Sequence, residues 1–148
     1  MASDIQPRGF RNNNPLNIRK GSKWKGLSSV QGDKSFCVFT SMSFGIRAAI
    51  YLLLKYYKTY ELHTLYDIIS RWAPQCENDT WNYCKLVAKE LRIPVKLIPT
   101  YDLDLLHDYN MLYHLLMAMI YVENGKYLLV SWDLFISILL KDIPKSLK

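Results

Sequence analysis

The sequence predicts a mainly α fold, an α+β chain of about five helices with one small β-hairpin or strand region near residues 24–40. Three observations carry this expectation. Apolar residues recur at three- and four-residue spacing in segments that open on Ser, Thr, Asn or Asp and stop at Pro or Gly. A short two-residue alternation stands at "SFCVF", the mark of a half-buried strand. No repeat, low-complexity stretch or linker divides the 148 residues, so one domain spanning 1–148 is expected, with a single core.

The elements follow in order. Up to Leu27 there are Gly, Asn, Pro and basic residues without apolar periodicity, which reads as an ordered loop with at most one turn of helix. A strand at about residues 35–40 precedes a helix over about 43–57. Ser41 or Ser43 caps that helix, and Ile46, Ala49, Ile50, Leu53 and Leu54 fall on one side of a segment that is apolar nearly all round. Thr64 opens "TLYDIISRW", which Pro74 stops. Asn78 or Asp79 caps a third helix over about 80–91, with Tyr83, Leu86, Val87 and Leu91 inward. "RIPVKLIPTYDLD", with two prolines, is a connector. A long helix then runs from 103 or 108 to 123 and ends at Asn124-Gly125, and Ser131 caps the last one, "WDLFISILLKDI".

Composition narrows the function. Half of the residues are hydrophobic and 14% aromatic, with eleven tyrosines and four tryptophans, which excludes a disordered or fibrous chain. The apolar run over 111–122 is too short for a bilayer and contains His114, and the first ten residues lack the apolar stretch of a signal peptide. Synthesis in the cytoplasm without a signal peptide and no stable membrane insertion are therefore expected. Cys37, Cys76 and Cys84 are odd in number and form no CxxC pair, so neither a disulfide framework nor a metal site is written here, although Cys76 and Cys84 could meet. Of the net charge of +6, residues 1–35 carry +5 and the rest +1. Such a patch favours a polyanion or an anionic cell surface. No nucleic-acid-binding motif interleaves with it, so nucleic acid is not the expected partner.

Acid-driven hydrolysis needs a carboxyl group held protonated near neutral pH. Most of the thirteen acids stand at helix starts or on polar faces. Glu123 instead ends the most apolar helix, "MLYHLLMAMIYVENG", where burial and the macrodipole both oppose a negative charge. It is either a general acid or a helix-end glutamate turned to water. Glu77 is a rival, but at a helix start, where the anion is favoured. In "RGFRNNNPLNIR", Asn12, Asn13, Asn14 and Asn17 offer paired donors and acceptors that suit sugar hydroxyl and acetamido groups; they suit an Asx-rich turn bonding its own backbone equally well. Trp72, Trp81 and Tyr83 are either sugar-stacking surfaces or core.

Four ordered stretches, "RGFRNNNPLNIR", "KWKGL", "FCVFTSMSFGIRAAIYLL" and "TLYDIISRWAPQCENDTWNYCKLV", resemble the lysozyme-like domain of phage and bacterial peptidoglycan-cleaving proteins, often labelled virion structural proteins or lytic transglycosylases. The resemblance covers residues 8–87. It implies a lysozyme-like fold, cleavage of the β-1,4 link between N-acetylmuramic acid and N-acetylglucosamine, one catalytic glutamate and no cofactor. In many of those relatives the glutamate ends an apolar helix just before the NNP loop. Here the helix with that character comes late and ends at Glu123, so a circularly permuted order is expected. On this reading Glu123 is catalytic, and Asp33 is the candidate second carboxylate, otherwise a turn residue. Asn12, Asn13, Asn14, Asn17, Trp72 and Tyr83 bind the substrate, and Arg11 and Arg19 face its carboxylates. The partner is a peptidoglycan glycan strand, met in the periplasm or exterior by a monomer that a holin, a virion or a secretion system delivers. The alternative is a virion or secretion component that binds peptidoglycan without cutting it.

Overall fold

The structure, a computed structural model, describes residues 6–73 and 77–148; the side chains of Glu77 and Asn78 and all of Pro74 to Cys76 lie outside the described residues. Among the described residues six α-helices form: α1 (Arg8–Arg11), α2 (Met42–Lys58), α3 (Leu65–Trp72), α4 (Glu77–Leu91), α5 (Tyr109–Asn124) and α6 (Trp132–Lys141), with 3-10 turns at Val95–Leu97 and Lys145–Leu147. Local chemistry fixes several ends. The Thr64 side chain accepts from the Asp67 N–H, that of Asp108 from Met111 and that of Ser131 from Leu134, each satisfying a free donor of a first turn. Gly125 stops α5 in the left-handed conformation, at φ 69°. Helix α4 starts at Glu77, earlier than the sequence suggests, so Asn78 and Asp79 lie in its first turn and do not precede it.

Helix α5 packs along α4, which packs on α3, while α2 lies against α6 and the final turn. The main core gathers the expected apolar side of α2 together with Leu16 from the opening loop and Leu112, Leu115, Leu116 and Met119 of α5. Each such fully buried side chain contributes about 1.5–3 kcal/mol. On α4 the inward stripe is Tyr83, Cys84, Val87 and Ala88, whereas Leu86 is 52% exposed, a rotation of about one residue from the expected face. Among the described residues, no helix is long and apolar enough to cross a membrane.

The expected strand over 35–40 does not form, and the described residues contain no β-strand, only isolated antiparallel bridges such as Arg19 to Phe36 and Leu27 to Phe39. The reason is that this segment divides its backbone bonds among several partners. Cys37 N–H donates to the Ile18 carbonyl, Phe39 N–H to that of Asn12 and Thr40 N–H to that of Gly26. Side-chain carboxamides take the place of a neighbouring strand: Asn14 donates to the Cys37 carbonyl at 2.9 Å, Asn13 to that of Phe39 at 3.1 Å, and Gln31 bonds both N–H and C=O of Val38 at 2.9 and 2.8 Å. The buried backbone is satisfied without a ladder. A small second core of Ile18, Cys37, Phe39 and Ala48 forms beneath, with Trp24 and Trp72 packed on it. Cys37 and Cys84 are buried free thiols; Cys76, and with it the expected meeting of Cys76 and Cys84, falls outside the described residues.

Candidate active site

The opening loop is seated on the end of α5. Asn124 donates to the Pro15 carbonyl at 2.8 Å, and a Cβ on Gly9 would stand 2.9 Å from the Asn14 carbonyl oxygen and 2.4 Å from Asn124 Oδ1, so glycine keeps this close approach open. On the other side, a Cβ on Gly45 of α2 would meet the Asn13 carbonyl oxygen at 1.9 Å. Asn13 and Asn17 adopt left-handed φ values of 52° and 53°, which asparagine tolerates better than other side-chain-bearing residues.

This seating brings Asn17 to Glu123. Asn17 Nδ2 donates to Glu123 Oε1 at 3.1 Å, and the Tyr83 hydroxyl, from α4, donates to Glu123 Oε2 at 3.0 Å. Burial raises the Glu123 pKa; hydrogen bonds from Asn17, Tyr83 and the Trp72 side chain, and the charge of Arg19, pull the other way without reversing it. Tyr83 is 8% exposed, and burial first, then the neighbouring carboxylate, holds its hydroxyl well above the usual phenol range. It therefore stays a donor. Glu123 faces a cleft of about 570 Å³ that Asn17, Arg19, Trp24, Phe36, Tyr56, Arg71, Trp72 and Asp79 also line. Tyr56 meets Trp72 edge-on at 5.7 Å between centroids, and the Arg71 guanidinium lies 4.1 Å over the Tyr60 ring. The walls are thus aromatic, with charges of both signs. Asn17 Oδ1 is buried and has no partner among the described residues, an acceptor left over beside the glutamate.

The expected site residues divide. Glu123, Asn17, Arg19 and Trp72 meet at the cleft, with Tyr83 behind Glu123. Asn14 is fully buried, its carboxamide taken up by Ile18 N–H and the Ile18 and Cys37 carbonyls, so it is a structural residue and not a sugar ligand. Asn12 and Asn13 also turn away from the cleft, to Asp33 and to the Phe39 carbonyl, and Arg11 is exposed and donates to the Gln6 carbonyl. Asp33 does not line the cleft. Its carboxylate accepts from the N–H groups of Ser35 and Phe36 and from Asn12, with Arg8 3.4 Å away, and its pKa is lowered to about 2. These are the bonds of a turn residue. Trp81 packs near Tyr66, away from the cleft lining, and the Glu77 side chain lies outside the described residues.

The sequence reading missed Arg71, Tyr56 and Asp79. Asp79 stands exposed in the first turn of α4, four residues before Tyr83 and so on the same helix face, a spacing that tied it to Glu123 once Tyr83 was known to reach that residue.

No family model matches the chain. It is similar to Protein P5 of Pseudoalteromonas phage PM2, with 45% identity over 91 residues. The match covers 59% of this chain and 57% of Protein P5, so the chain spans little more than half the length of that relative. Identity of this extent marks common descent: the chain is homologous to a protein of phage PM2.

Proposed function

We propose that the protein cleaves peptidoglycan glycan strands, as a muramidase or lytic transglycosylase, with Glu123 as general acid and then base. One observation carries the reading: a glutamate whose pKa is raised by burial, fixed through both oxygens by Asn17 and Tyr83, faces an aromatic-walled cleft. The motifs shared with lysozyme-like domains support it. The acid reaches the asparagine loop from a helix later in the chain, as a permuted order requires.

Glu123 gives its proton to the glycosidic oxygen as the bond to the anomeric carbon breaks, and the resulting carboxylate is met by the hydrogen bonds of Asn17 and Tyr83. It then withdraws a proton from water or from the 6-hydroxyl of the same sugar, whose oxygen closes on the anomeric carbon. Asn17 Oδ1 accepts a hydrogen bond from a substrate N–H or O–H. Tyr56 and Trp72 provide faces for sugar rings. Asp79, which lines the same cleft, takes the supporting role that the sequence reading assigned to Asp33.

Purified sacculi test this. Wild-type protein should release soluble fragments, while Glu123→Gln should release none yet still sediment with the sacculi. Equal release by the variant would end the assignment, and binding by a wild type that releases nothing would leave a binding component instead. Fragments lighter by one water identify a transglycosylase.

A further inference from the structure

Beside the cleft lies a second groove of about 360 Å³, and Ser22, Trp24 and Leu52 line both. Lys23, Lys25, Arg47 and Lys55 line this groove, and no acid does. None of the four cations forms a salt bridge among the described residues. Arg47 Nε donates to the Asp142 carbonyl at 3.1 Å and its guanidinium lies 5.9 Å over Tyr51, an arrangement that holds the group in place and leaves its terminal nitrogens without a partner among the described residues. Trp24 meets Tyr51 edge-on at 5.4 Å, and its buried indole N–H has no partner among the described residues.

The two cavities differ in sign. The cleft is lined by Arg19 and Arg71 and also by the acids Glu123 and Asp79; the groove gathers like charges whose mutual repulsion an anion would relieve. Four cations line one groove of about 360 Å³, more positive charge than one carboxylate or one phosphate offsets, so several anions carried on a polymer fit better than a single small anion. Resting on the glycan reading of the cleft, we infer that the groove is a distinct binding site for the carboxylates of the peptides carried by the strand whose sugars occupy the cleft.

The test is sedimentation of full-length protein with sacculi, in a Glu123→Gln background that leaves them intact. Native sacculi are compared with sacculi whose carboxylates are capped as neutral methylamides, and a neutral N-acetylglucosamine oligomer reports on the cleft alone. Lys23→Gln/Lys25→Gln, both residues being exposed, should bind native sacculi roughly tenfold more weakly than the parent and capped sacculi equally well. Lys55→Gln should act in the same direction, and added salt should abolish the difference. Unchanged affinity for native sacculi, or an equal loss on capped ones, would overturn the proposal. If the parent binds neither capped sacculi nor the neutral oligomer, the glycan reading fails, whereas loss of the lysine effect with neutral binding intact removes the groove alone.

Discussion

Glu123 and Asp33 each accept a hydrogen bond of 3.1 Å from an asparagine of the opening loop, and their carboxyl groups are driven in opposite directions. Asp33 adds two backbone N–H donors and Arg8 at modest burial, so its anion is held down to about 2. Glu123 has side-chain donors at the end of an apolar helix, and desolvation outweighs them. The same kind of carboxamide bond therefore meets a carboxyl group held toward its anion in one place and one pushed toward its protonated form in another. What differs is the water and backbone around each group.

The sharpest way to break this comparison is activity. On sacculi, Glu123→Gln should lose about 10²- to 10⁴-fold in rate, the usual worth of a general acid, whereas Asp33→Asn should stay within about threefold of wild type. Equal losses would return Asp33 to the catalytic machinery. Next in size is stability within the asparagine run. Asn14→Ala removes three buried bonds and leaves the Ile18 N–H and the Cys37 carbonyl unmet, the Ile18 carbonyl keeping the Cys37 N–H, and should cost about 2–4 kcal/mol by denaturant unfolding. Asn12→Ala removes one half-buried bond to Asp33 and should cost less than about 1 kcal/mol.

The pH profiles sharpen the contrast further. Because the folded Glu123 pKa lies above its ordinary value of 4.5, the unfolded chain loses this proton first, and wild-type stability should fall as pH rises from there through the folded value. Glu123→Gln removes that fall, so its melting temperature should gain on that of wild type as pH rises through this range. For Asp33 the sign reverses. Its contribution is present above 3.8 and lost as pH falls toward about 2, so the melting deficit of Asp33→Asn at pH 7 should shrink steadily over that acidic range. A deficit independent of pH would show that geometry, and not charge, holds the turn.

Local chemistry explains what was legible. The caps at Thr64, Asp108 and Ser131 and the glycine stop at 125 depend on neighbours within a few residues, so they can be read along the chain. So can the apolar character of α5, and with it the singling out of Glu123. The asparagine run was legible only as chemistry. A carboxamide satisfies a sugar and a stray backbone carbonyl equally well, and nothing in "NNNPLN" says which it meets. Residues 35–40 alternate as a strand should, yet a ladder needs one continuous partner, and Asn13, Asn14 and Gln31 supplied pieces of one.

By itself, then, the sequence determined a helical chain with a basic front, a carboxamide-rich loop and one acid at the end of its most apolar helix. Only tertiary structure decided that Asn17, 106 residues away, and Tyr83, 40 residues away, would grip that acid, and that Asp79 and not Asp33 would share its cleft. Helix caps and stops are satisfied within a turn, but a site is made by groups whose separation along the chain says nothing of their separation in space. Here Gly9 and Gly45 settle the matter, because each removes a side chain where the loop must press against α5 and α2.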